Sequence, residues 1–250
     1  MEVAFKGTHF HGWQIQANAK SIQSEIQKAL STVLRSPIEI TGCGRTDTGV
    51  HALQHFSHFL SDRVEFGESI LYQLNSILPD DICIRNIFPV HSEAHARFDA
   101  ISREYEYRLY FEKDPFLKDF ATYCHRIPRM DLMKKGAEIL QTYQDFTCFS
   151  KTHTQVKTNL CKIQRTDWEW RDGNLVFTIQ ADRFLRNMVR AIVGTLLLVG
   201  WEEMDFQGLR EVLESKDRGM AGPSVSPDGL YLKKVIYPFR IPNPNPLRTH

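Results

Sequence analysis

The spacing of apolar residues changes along the chain, and each change marks an element. Residues 1–6 alternate like a short strand. From Ser21 to Arg35 the period becomes helical, with Ile22, Ile26, Leu30, Val33 and Leu34 on one face. Ser21 suits the N-cap, Glu25 complements the helix dipole in the first turn, and Pro37 stops the run. Ile38 to Thr41 and Ala52 to Leu60 read as strands, Phe66 to Leu78 as a helix stopped by Pro79, and Ile82 to Val90 as a strand. The order β-α-β-β-α-β is the split βαβ, or ferredoxin-like, arrangement.

The second half repeats that order with longer insertions. Ser102 to Phe111 alternates as a strand, and Asp131 to Thr142 is helical through Leu132, Ala137, Ile139 and Leu140. Cys161 to Trp170 and Asn174 to Ala181 form a hairpin turning on Asp172-Gly173, a strong turn signal. Leu185 to Gly200 is a mostly buried helix, Phe206 to Leu213 an additional one, and Leu230 to Tyr237 a closing strand. The pattern predicts an α+β protein with mainly antiparallel sheets. It has two ferredoxin-like lobes, residues 1–100 and 101–237, with a central cleft between them. The tail, 238–250, carries four prolines and is expected to run extended on the surface or disordered.

Composition narrows the class. A chain of 250 residues accommodates one large domain or two small ones. No apolar run approaches the roughly 20 residues a membrane helix needs, and the opening residues lack a signal peptide's apolar core. A soluble, cytoplasmic protein is expected. The five cysteines form no C-x-x-C pair and are odd in number, which argues against a disulfide framework or structural zinc and for free buried thiols. The net charge of +1 counts mildly against a nucleic-acid partner but permits local basic patches. Arg183, Arg186 and Arg190 lie at near-helical spacing, and Arg126, Arg129, Lys134 and Lys135 form a looser cluster. The ordinary reading of both is a solvated helix face.

Candidate chemistry concentrates in Gly42-Cys43-Gly44-Arg45-Thr46-Asp47-Thr48-Gly49-Val50-His51-Ala52. Glycine weakens both helix and strand, so this run reads as a tight loop between strands. A carboxylate at a rigid turn can be a nucleophile or an electrostatic stabiliser; alternatively, Asp47 only closes an Asx-turn. Cys43, with small neighbours and no adjacent base, reads as packing. His51, His55 and His58 could suggest a metal triad, but on a strand His58 faces away from the other two. With no Cys or carboxylate cluster nearby, no metal is expected. A G-x-S-x-G elbow and a dinucleotide loop are both missing, and no cofactor is expected. Tyr105 and Tyr107 share one strand face, as core packing or as a base-stacking platform. Arg190, in an apolar helix, either snorkels to the surface or pairs with a carboxylate, for which Asp47 is the preferred candidate.

The wording of these segments is more specific than their composition. Gly44-Arg45-Thr46-Asp47-Thr48-Gly49-Val50-His51 closely resembles the active-site signature of the TruA-type tRNA pseudouridine synthases. Gly7-Thr8-His9-Phe10-His11-Gly12-Trp13-Gln14 resembles that family's opening motif. Ala94-His95-Ala96-Arg97-Phe98, followed by Arg103-Glu104-Tyr105-Glu106-Tyr107, resembles its middle motif. Asn187-Met188-Val189-Arg190-Ala191-Ile192-Val193-Gly194 and Gly229-Leu230-Tyr231-Leu232 resemble its late helix and final strand.

The resemblance implies the pseudouridine synthase fold and an isomerase that converts uridine to pseudouridine at positions 38, 39 and 40 of the tRNA anticodon stem-loop. It implies Asp47 as the catalytic carboxylate, Arg190 as its ion-pair partner, and Tyr105 stacked on the uracil and assisting loss of the C5 proton. Arg45 then holds the flipped-out nucleoside and Leu230 closes the far side of the base. His95 and Arg97 contact tRNA, with Lys157 in the His153–Lys157 loop as a phosphate partner. It further implies tRNA as the partner and a homodimer that pools basic surface around it. The family usually carries glutamine where this chain has His55. The alternative reading is a non-catalytic RNA-binding protein with an RRM-like sheet, sharing every feature except an ionised Asp47. A small-molecule α/β enzyme using Asp47 as general base is a further rival.

Overall fold

The computed structural model describes residues 1–63, 66–151, 158–239 and 241. Its elements follow the predicted order. The first half holds β1 (Glu2–Phe5), α1 (Ile22–Leu34), β2 (Thr41–Gly42), β3 (His51–His58), α2 (Glu68–Ile77) and β4 (Ile82–Asn86). The second holds β5 (Ser102–Tyr110), β6 (Thr122–Tyr123), α3 (Met130–Leu140), β7 (Ile163–Arg171), β8 (Asn174–Ala181), α4 (Met188–Gly200), α5 (Phe206–Ser215) and β9 (Leu230–Ile236). The chain packs as two units. Met1–Ile101 joins the segment from Leu232 onward, and Ser102–Tyr231 forms the other.

In the first unit β4, β1 and β3 are antiparallel neighbours, β2 pairs antiparallel with the end of β3, and β9, whose residues from Leu232 belong to this unit, also adjoins β3; the β4-β1-β3-β2 set fits the predicted β-α-β-β-α-β succession. Val3, Phe5, Ile82 and Ile84 on the strands, Ile22, Ile26 and Leu30 of α1 and Leu74 of α2 are all buried and make up the unit's apolar core. Ser21 caps α1 in a reciprocal box with Ser24. The expected strand over Ile38 to Thr41 is shorter, since only Thr41 and Gly42 pair, with His58 and Ser57. The backbone before them is held by one side-chain stripe of α1. Ser31 Oγ accepts the Ile38 N–H (2.9 Å), Gln27 Oε1 accepts the Ile40 N–H (3.2 Å), and Gln23 Nε2 donates to the Ile40 carbonyl (2.8 Å). Helix amides and a hydroxyl thus replace a strand partner.

In the second unit β5, β8 and β7 are antiparallel neighbours, and β6 adds a short parallel pairing to β5. The β7–β8 hairpin turns on Asp172 and Gly173 as predicted, both with positive φ (51° and 76°). Trp168 and Phe177, cross-strand partners, stack at 4.6 Å. Met133 and Leu140 of α3, Ile192 and Leu196 of α4, and Leu209 and Val212 of α5 complete an apolar core. The buried helix begins at Met188 rather than Leu185, because Asn187 adopts a left-handed conformation (φ 67°). Arg183 and Arg186 therefore lie before the helix and share no face with Arg190. Four cysteines are buried and free as expected, while Cys83 is exposed.

Candidate active-site loop

The segment between β2 and β3 is fixed by the opening motif of the chain. The Trp13 N–H donates to the Thr46 carbonyl (3.2 Å), and the Gly49 N–H donates to the Phe10 carbonyl (3.3 Å). The Val50 N–H closes a turn onto the Asp47 carbonyl (3.2 Å). Gly12 sits at φ 82°, and a Cβ there would lie 2.3 Å from the Thr46 carbonyl oxygen, so this approach requires glycine. The two glycine-rich motifs, far apart in sequence, form one framed loop. Asp47 is half-buried at its crest and Arg45 is exposed, its Nε donating to Gln14 Oε1 (3.2 Å).

Three histidines of β3 fasten three segments. His51 Nδ1 accepts the Gly7 N–H of the opening motif (3.0 Å). His55 Nε2 lies 3.1 Å from the Gly44 carbonyl at the base of the loop. His58 Nδ1 accepts the Ala96 N–H (3.1 Å). A carbonyl only accepts, so His55 carries its proton on Nε2. Burial pushes the His55 pKa down to about 4, and the bond to Gly44, which favours the protonated form, offsets this only in part. His58 is also lowered, first by burial and then by the neighbouring His95. In the sequence these histidines read as a rejected metal triad, with His51 closing the signature motif and His55 standing where the family usually carries glutamine. Their spacing along one strand beside a glycine loop was the available sign of a fastening role. Among the described residues no group of three or more His, Cys, Asp or Glu side chains could hold a metal.

The Ala94–Phe98 segment is a turn organised by His95. Its Nδ1 accepts the backbone N–H groups of Arg97 (3.1 Å) and Phe98 (3.2 Å), and the His95 backbone N–H donates to Asp99 Oδ2 (2.7 Å). The ring stacks on Phe98 at 4.2 Å. Arg97 and Phe98 are left facing solvent, Phe98 at 74% exposure. A cavity of about 320 Å³ opens beside His58 and His95; neither Arg45 nor Asp47 lines it.

The remaining candidates belong to the second unit. Tyr105 on β5 is half-buried, edge-on to Phe184 at 5.0 Å. Tyr107 is a core residue, its hydroxyl bonded to Thr122 Oγ1 (2.6 Å) and donating to the Ser226 carbonyl (2.8 Å), and burial raises its pKa. Arg190, in the first turn of α4, donates from Nε to the Val225 carbonyl (2.7 Å), and its own carbonyl accepts the Val225 N–H (3.3 Å). Leu230, buried, begins β9. Lys157 lies outside the described residues, as does most of the Pro-rich tail. Arg126 and Arg129 of the looser basic cluster are engaged in exposed ion pairs with Glu203 (2.8 Å) and with Asp131 (2.8 Å) and Glu202 (3.1 Å).

Comparison with known proteins agrees with this organisation. The tRNA pseudouridine synthase family model matches residues 1–99 and 140–238. These spans contain the Asp47 loop, the His95 turn, Arg190 and Leu230, whereas Tyr105 falls between them. A tRNA pseudouridine synthase A of Porphyromonas gingivalis is 45% identical over 240 residues, covering 94% of this chain and 95% of that protein. Those of Parabacteroides distasonis (47% over 244 residues, 94% of each chain) and Bacteroides thetaiotaomicron (46% over 239 residues, 94% of this chain and 89% of that one) are similar to it over the same extent. The chain belongs to the tRNA pseudouridine synthase family, a family of isomerases with a mixed α+β fold and mostly antiparallel sheet.

Proposed function

We propose that this chain isomerises uridine to pseudouridine at positions 38, 39 and 40 of the tRNA anticodon stem-loop, with Asp47 as the catalytic carboxylate. The observation that carries the reading is the framing of Asp47. Its loop is hydrogen-bonded to the opening motif on both sides of the carboxylate, from Trp13 to Thr46 and from Gly49 to Phe10. A carboxylate preorganised in this way can act on a flipped-out nucleoside without reorganising first. In the reaction the bond from ribose C1′ to uracil N1 breaks and the base rotates. C5 then joins C1′, and the proton lost from C5 is balanced by one gained at N1. Nothing is oxidised and no group leaves the nucleotide.

Within this proposal Arg190 is the ion-pair partner that keeps Asp47 charged. Tyr105 stacks on the uracil and assists removal of the C5 proton. Leu230 closes the opposite side of the base, and Arg45 holds the extruded state. Arg97 reaches the RNA from the His95 turn. His95 itself has committed Nδ1 to that turn, leaving Nε2 for contact. Lys157 supplies a phosphate contact. The chain acts in the cytoplasm as a homodimer, which lets a polypeptide of net charge +1 gather several basic patches around one tRNA.

Incubating the purified protein with unmodified tRNA and mapping pseudouridine tests the proposal. The expected outcome is product at positions 38–40 from the wild type and none from Asp47→Asn, with stability changed by less than about 0.5 kcal/mol. Appreciable turnover by the Asn variant would remove Asp47 from the chemistry. Tight tRNA binding without product by the wild type would favour a non-catalytic RNA-binding protein.

A further inference from the structure

His55 stands apart from its neighbours on β3. It is fully buried, 0% exposed, in the middle of a strand whose other buried positions are His51, Ala52, Phe56 and Ser57. Its ring stacks on Trp13 with centroids 3.7 Å apart and planes inclined by 25°. Trp13 is the residue whose N–H holds the Thr46 carbonyl, one position before Asp47. Gly42 abuts the edges of both stacked rings, and a Cβ there would come within 2.8 Å of the imidazole Cε1 and 2.5 Å of the indole Nε1. Among the described residues, its single polar contact is the bond from Nε2 to the Gly44 carbonyl, and Nδ1 has no partner.

A buried imidazole with one nitrogen unsatisfied is costly, since an unpaired buried acceptor carries its full desolvation penalty. A packing role alone would be served better by an aromatic hydrocarbon ring. What the imidazole adds is one N–H, aimed at the carbonyl that begins Gly44-Arg45-Thr46-Asp47. The adjacent Gln54 supplies nothing to this loop, for its Nε2 donates to Glu2 (3.0 Å) and its Oε1 accepts the Val235 N–H (3.2 Å).

We propose that His55 is a positioning residue for the Asp47 loop. As a neutral donor, stacked on Trp13 and abutting Gly42, it anchors the Gly44 carbonyl and so sets the backbone from which Arg45 and Asp47 project. The inference rests on the assignment of Asp47 as the catalytic carboxylate. It predicts that the loop needs a hydrogen-bond donor at position 55 rather than an imidazole as such.

The test compares wild type, His55→Phe and His55→Gln in steady-state pseudouridine formation on unmodified tRNA. Phe keeps a flat ring and deletes the donor; Gln deletes the ring and keeps a donor. The expected result is a kcat about tenfold lower for Phe, the rate equivalent of one hydrogen bond, with KM within about twofold. Gln should return kcat to within about threefold of wild type. A wild-type kcat in the Phe variant, or a Gln variant as slow as Phe, would overturn the proposal. Because Phe could fail to fold, the wild-type protein supplies a second measurement, the nitrogen NMR signature of His55 at neutral pH. Protonated Nε2 with bare Nδ1 and a coupling to the Gly44 carbonyl is expected; the opposite tautomer overturns the anchoring bond. A folded wild type that forms no pseudouridine defeats the functional reading instead, and the tautomer then decides the anchor by itself.

Discussion

In the first unit β3 buries two imidazoles, His51 and His55, that face backbone; in the second, β5 buries the carboxylate of Glu106 between two guanidinium groups. Glu106, 1% exposed, accepts from Arg108 Nε (2.8 Å) and from Arg171 Nη1 (2.9 Å). Arg171 also pairs with Glu169, and the Arg108 guanidinium lies over the Tyr231 ring at 4.1 Å. Burial by itself raises the Glu106 pKa, but the hydrogen bonds from Arg171 and Arg108 outweigh it and hold the carboxyl below the usual range. The lesson concerns what each arrangement tolerates. His55, a neutral donor, holds the loop backbone without bringing a second charge near its carboxylate. An ion cluster stiffens a strand but depends on every member staying charged.

Acid should therefore weaken the two units in different windows, and this is the largest effect expected. His55 titrates near 6.5 when unfolded and near 4 when folded, so between these values the unfolded chain binds more protons. Its contribution is complete above pH 6.5 and is lost as pH falls toward 4, by about 3 kcal/mol in all. His58, shifted in the same direction, adds to that slope. Glu106, with a lowered pKa, loses its contribution only below about its ordinary 4.5. Denaturant unfolding from pH 7 to 4, followed by probes in each unit, measures this. His55→Gln should flatten the upper window and leave the lower unchanged. An unaltered upper slope would show that His55 is not the buried neutral imidazole described.

Removing one ion of the cluster comes next. Glu106→Gln leaves two guanidinium groups with a neutral partner. Breaking a buried pair costs several kcal/mol, but Arg108 and Arg171 remain 31% and 39% exposed, so water screens part of the loss. A cost of about 2 kcal/mol is expected, smaller at high salt. A salt-independent loss would mean that Glu106 acts by packing.

Neither arrangement was legible as such in the sequence, although much around them was. The Asp172-Gly173 turn and the capped start of α1 follow from local chemistry, which one sequence contains in full. The shortened β2 does not, because Gln23, Gln27 and Ser31 read as an ordinary polar stripe until Ile38 and Ile40 lie beside them. Asp47 was recognisable from the motif, yet its frame depended on Gly12 and Trp13 returning to Thr46, a contact that no local period encodes. His55 looked like a failed metal ligand for the same reason. Its partner, Gly44, is reached only through the fold. Glu106 reads as the polar phase of an alternating strand, and burial on that phase becomes visible only when Arg171 arrives from β7.

The smallest effect expected separates a neutral cap from a charged cluster within one comparison. Ser21, 0% exposed, accepts the Ser24 N–H (3.2 Å), and Ser24 Oγ accepts the Ser21 N–H in return (3.2 Å). The next two N–H groups of α1 are taken by the opening motif, Ile22 by the Gly12 carbonyl (3.1 Å) and Gln23 by the Trp13 carbonyl (3.0 Å). Ser21→Ala thus strands few donors and should cost about 1 kcal/mol. Since no ion takes part, that cost should be equal at low and high salt, unlike the Glu106→Gln loss. Because the same cap joins α1 to the residues framing Asp47, activity should fall no further than stability does. A drop in kcat at full foldedness would instead make the helix terminus part of the frame that sets the carboxylate.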